Sequence, residues 1–190
     1  MSSAIMNLVR GDGLVLPYKE YKNPWLFSMF NWNHLGEKYV PKKPNELSEL
    51  WTYRVFIGGQ CKEIFSLFSE PKITHEDRLA LGMTLDGMVV RLAEFEDFTA
   101  AVRRFRATMK TQATHLDQIA TDIDELRLKF QNDGFDVIGV SWWQSTMSDN
   151  FWEKKTRKKD EYRPYNLNKD RGHYFLYDEV AKIEESFATA

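Results

Sequence analysis

From about Glu94 to Gln131 the apolar residues fall into two interleaved rows. Phe95, Val102, Met109, Leu116, Ile123 and Phe130 recur every seven positions. Phe98, Phe105, Ile119 and Leu126 lie three residues further on, with Gln112 filling the gap. Spacing of three then four gathers all of them on one helical face. No Gly or Pro interrupts the pattern, and Asn132, Asp133 and Gly134 supply a stop. The spacing predicts one continuous helix over 95–131, a rod roughly 55 Å long at ~1.5 Å per residue.

Such a seam needs a partner surface. In a parallel two-stranded coil the flanking positions would pair charges between strands. Here those positions hold Ala101, Thr108, His115, Asp122 and Lys129 on one side, and Thr99, Arg106, Ala113, Ala120 and Arg127 on the other. Only Asp122 with Arg127 makes a good charge pair. The alanines widen the apolar stripe instead, and phenylalanines in the seam are bulky for a two-stranded coil. The seam is therefore expected to pack within its own chain. The expected state is a monomer, or a homodimer formed through another face.

Other segments read as shorter elements. Gly11-Asp12-Gly13 is a turn, and 14–16 a short strand stopped by Pro17. The run 24–32 is expected to form one or two helical turns packed on the rod. Asn45 is a candidate N-cap for a helix reaching about Ile57, which Gly58-Gly59 breaks. A short helix bearing Cys61, Ile64, Phe65 and Phe68 follows. Thr74 and Asp77 suit a capping box. Leu81, Leu85, Met88 and Leu92 then continue at helical spacing into the rod, with a kink or break near 86–93; a hairpin turn at Asp86-Gly87 is the alternative. Residues 135–143 and 173–177 are rich in strand formers, and 178–187 reads as a terminal helix.

The expected fold is α+β and mostly helical: one long central helix, shorter packed helices and a small antiparallel sheet. All 190 residues are read as one domain, with short helices over 1–73, the long helical segment over 74–132 and a strand- and loop-rich part over 135–190.

Composition narrows the function classes. A net charge of −2 gives no general electrostatic pull towards nucleic acid. The one cysteine, Cys61, excludes an intramolecular disulfide and reads as a small buried hydrophobe. No signal-peptide pattern and no membrane-length apolar run is present, so a cytoplasmic setting is expected. His34, His75, His115 and His173 stand apart from one another in sequence, and no metal or cofactor is expected. Phosphate-loop, dinucleotide and nucleophile-elbow motifs are missing. Asp136, Glu153 and Lys155 would suit a metal-dependent nuclease site only if the Glu and Lys sat on the strand beside the Asp.

The most pointed local feature is Lys154-Lys155-Thr156-Arg157-Lys158-Lys159, five cations in six residues. Trp152, Tyr162 and Tyr165 flank it, with Trp142 and Trp143 upstream. Cations grip anions and aromatic rings supply sticky, stackable surface. These ten residues form the candidate binding patch. The leading reading is a protein-binding module such as an inhibitor, adaptor or immunity-type protein; its small size suits a phage or mobile-element product. Nucleic-acid binding through 152–165 is the second reading, and an enzyme with a site assembled only in space the third.

Overall fold

The structure is a computed structural model that describes residues 3–22, 25–42, 44–45, 62–85, 87–110, 114–133, 136–145, 153–155, 162–170 and 173–189. Its centre is a sheet of five strands. β1 (Ser3–Arg10) and β2 (Val15–Lys22) form a hairpin over the predicted turn. Gly13 takes a positive φ of 85° there, and its N–H donates to Arg10 O at 2.8 Å. β3 (Met88–Arg91), β4 (Val137–Ser145) and β7 (Tyr174–Phe175) complete the order β2-β1-β4-β3-β7. β4 is the middle strand, antiparallel to both β1 and β3, while β7 runs parallel to β3.

The sheet is thus mixed and five-stranded, larger than the small antiparallel sheet expected. Residues 3–10 are a full strand rather than an entry segment, because Ala, Met and Leu hide its β character. Strand β2 runs on through Pro17. It lies at the edge of the sheet, where a residue without an N–H is tolerated, and a bulge falls beside it.

Around the sheet lie α1 (Trp25–Tyr39), α2 (Lys62–Ser66), α3 (His75–Gly82), α4 (Phe95–Thr108), α5 (Thr114–Asp133), a single turn α6 (Leu167–Asp170) and α7 (Leu176–Ala188). The run 24–32 belongs to the fifteen-residue α1, far longer than one or two turns. Thr74 caps α3 by accepting from Asp77 N–H at 3.2 Å. The reciprocal half of the box is absent, since the Asp77 carboxylate is engaged by α1 instead. The predicted helix 45–57, Gly58-Gly59 and Cys61 lie largely outside the described residues; Asn45 has a positive φ of 64°.

The helical path does break near 86–93, but into a strand rather than a kinked helix. α3 ends at Gly82, Gly87 adopts a positive φ of 82°, and 88–91 is strand. The Asp86-Gly87 alternative fails as well, because β3 pairs with distant β4 and β7. Val89 and Val90 explain the outcome: both are fully buried, on opposite faces of the sheet, where β-branched residues pack well.

The continuous rod is overturned too. α4 stops at Thr108, Met109 is extended with ψ 134°, and the chain reverses before α5. Glu96 pairs with Arg127, Thr99 and Arg103 with Asp124, and Arg106 with Asp117 at 3.4 Å, so the two helices run antiparallel. Gln112 lies outside the described residues. All ten apolar seam residues are nevertheless buried, each at 8% exposure or less. A straight rod would leave much of that seam without cover. Folding back lets its halves bury one another, as the intramolecular reading requires. Arg127 is spent on Glu96 and Asp122 on Lys19, not on each other.

The main core draws on residues from Ala4 to Val180 and fills the helix-covered face of the sheet. Trp142 stacks there on Phe98 of α4, with ring centroids 5.5 Å apart. A smaller cluster of Val9, Val15, Val89 and Leu167 covers part of the other face. No helix among the described residues is long and apolar enough to cross a membrane.

Candidate functional site

The start of the basic segment, Lys154 and Lys155, lies on a second, separate piece of sheet. β5 (Glu153–Lys155) pairs antiparallel with β6 (Tyr162–Pro164). Glu153 stands opposite Pro164, Lys154 opposite Arg163, and Lys155 opposite Tyr162. Where it is described, the segment is a two-stranded ribbon, and neither strand joins the five-stranded sheet. Asp136 precedes central β4, whereas Glu153 and Lys155 lie on the ribbon, so no strand beside Asp136 carries them.

The ten candidate residues do not form one patch. Trp142 is 3% exposed and belongs to the main core, so it offers nothing to a partner. The backbone of Trp143 pairs with Ile5 in the middle of the sheet. Tyr165 is half-buried against the smaller core cluster, and its carbonyl accepts from Val15 N–H at 3.0 Å. Lys154, Lys155 and Tyr162 lie on the ribbon, and Trp152, Arg157, Lys158 and Lys159 fall outside the described residues. Periodicity could not reveal this division, because burial on a central strand depends on which helix covers it.

Two charged clusters that sequence reasoning missed were the other candidates for chemistry. Asp122 of α5, 2% exposed, accepts from Lys19 Nζ at 2.5 Å, Tyr21 Oη at 2.6 Å and Gln118 Nε2 at 2.9 Å. Lys19 and Tyr21 alternate on β2, so the cluster staples the edge strand to α5. Asp77, also 2% exposed, accepts at Oδ2 from Lys38 Nζ at 2.6 Å and from Tyr39 Oη, tying α3 to α1. Burial pulls the Lys38 pKa down, but the hydrogen bonds and charges of Asp77 and Tyr39 outweigh it and hold it above the usual value. Both carboxylates are committed to internal donors and serve as structural clamps.

Arg78, 1% exposed, works the same way. Its guanidinium donates to the carbonyls of Phe68, Glu70 and Ile73, and lies 3.4 Å from Glu184 of α7. Arg91 grips Asp178 and Glu94 and lies 3.7 Å over the Phe175 ring. Among the described residues no group of three or more His, Cys, Asp or Glu could hold a metal ion.

One clamp has a measurable pH signature. Burial first, then the hydrogen bond and charge of Asp122, push the Tyr21 phenol well above its usual range. A group whose pKa rises on folding stabilises the fold below its unfolded pKa and loses that contribution as pH climbs beyond it. Stability should therefore fall above pH ~10, with Tyr21 contributing a slope of about 1.4 kcal/mol per pH unit. Urea titrations between pH 9 and 11.5 should show that Tyr21→Phe flattens this limb by that amount. An unchanged slope would mean that Tyr21 already ionises in the folded protein.

Comparison with protein-family models, with curated proteins and with solved structures finds no match to this chain.

Proposed function

We propose that the protein is a protein-binding module of inhibitor, adaptor or immunity type, acting by contact in the cytoplasm, with the basic ribbon as its binding element. One observation supports this most. Where it is described, the cation-rich segment lies on a ribbon apart from the main sheet, while Asp122 and Asp77, buried beside that sheet, are engaged with internal partners. A concentration of cations in one short segment is suited to steering and holding an acidic partner surface. A phage or mobile-element source remains part of this reading.

Nucleic-acid binding is the second reading, and the ribbon itself favours it, since the major groove of DNA admits a two-stranded antiparallel ribbon. Affinity capture separates the two. The full chain and a variant with Lys154, Lys155, Arg157, Lys158 and Lys159 all changed to Gln would be used as bait, with and without nuclease treatment. The expected result is a captured protein that survives nuclease and disappears with the variant. Its association rate should fall as salt rises. Loss of the signal on nuclease treatment would overturn the protein-binding reading in favour of the second.

A further inference from the structure

Asn7 of β1 and Ser141 of β4 are directly paired in the sheet, and both are fully buried. Their neighbours Met6 and Trp142 belong to the main core, so strand alternation turns Asn7 and Ser141 to the other face. Directly paired residues share a face, with about 4.5–5.5 Å between their Cβ positions. Asn7 Nδ2 donates to Ile5 O at 3.2 Å. That bond fixes the amide, since the reverse orientation would set two acceptors together. Asn7 Oδ1 is thus an acceptor without a donor, and Ser141 Oγ also has no partner among the described residues. Two polar atoms stripped of water and left unpaired side by side would each carry a full desolvation penalty.

We infer that a single internal water molecule is bound between β1 and β4, donating to Asn7 Oδ1 and exchanging a hydrogen bond with Ser141 Oγ. The chemistry of the two groups selects the ligand. Oδ1 accepts only, whereas a hydroxyl both donates and accepts, and water matches both at once. Both groups are neutral, so they supply no charge to hold an ion. Neither reaches the surface, so the ligand is small and enclosed. The water is held at this register alone. A one-residue slip of β1 along β4 would turn Asn7 into the main core, and a two-residue slip would set it against Gly139 or Trp143. The bridged pair therefore fixes how the first strand docks on the middle one.

The test uses the full chain. Oxygen-17 relaxation dispersion counts long-lived internal waters without interference from exchanging hydroxyl protons. The wild type should hold one such water more than a variant carrying Asn7→Leu with Ser141→Ala, which replaces both polar groups by apolar ones. An equal count in the two proteins would overturn the site. Should the double variant fail to fold, a wild-type crystal structure fine enough to show ordered water decides the matter. Density within hydrogen-bond distance of both Asn7 Oδ1 and Ser141 Oγ is expected. A direct Ser141 Oγ to Asn7 Oδ1 hydrogen bond with no density beside it would overturn the inference.

Discussion

Leu116→Asp should leave the protein without a cooperative thermal transition, or insoluble. Leu116 is fully buried on α5, within the seam shared with α4. A carboxylate there would sit within the main hydrophobic cluster, and burying one unpaired costs several kcal/mol even after relaxation. The lost apolar burial adds about 2–3 kcal/mol more. Together these approach the whole stability of an ordinary domain, about 5–15 kcal/mol. Circular dichroism melting compared with Leu128→Asp, on the same helix but 59% exposed, gives the contrast. Equal midpoints for the two variants would mean that the seam is not core.

The second large effect is expected at the edge of the sheet. Lys19→Met should destabilise the protein by about 3 kcal/mol, because it strips the buried Asp122 of its counter-charge while leaving the carboxylate in place. Lys19→Arg should recover most of it. Urea unfolding of the three proteins at neutral pH checks both expectations. A change below about 0.5 kcal/mol would mean that Tyr21 and Gln118 satisfy Asp122 unaided.

How far the sequence revealed these features depends on the range of the interactions behind them. The seam was legible because a helical face is written at spacings of three and four, and every one of its apolar residues is buried. Its reversal was not, because two antiparallel halves carry the same period as one straight rod. Thr108 and Thr114, at the facing ends of the two helices, were the weak hint, since threonine lowers helix propensity. Strand β1 was missed because its residues favour helix as readily as strand, and its pairing with β4 spans most of the chain. Asp122 did leave a trace, as an acid beside the apolar stripe next to Ala120, but nothing local pointed to Lys19 across the fold. The basic run was legible as a binding candidate. Its ribbon register was not, nor was the withdrawal of Trp142 into the core.

The placement of β1 between β2 and β4 also sets the order in which the chain can become native. Ser3 finds its partner only when Ser145 exists, so during synthesis the first hairpin waits with one long edge open. The α4–α5 hairpin, whose contacts are far more local, is complete before β4 is made. Local closure is fast and distant closure slow, which makes the helical pair the natural nucleus and the insertion of β4 the late step. Until then Ala4, Met6 and Val9 have no central strand beside them, and the nascent chain is most exposed to wrong pairing in that interval.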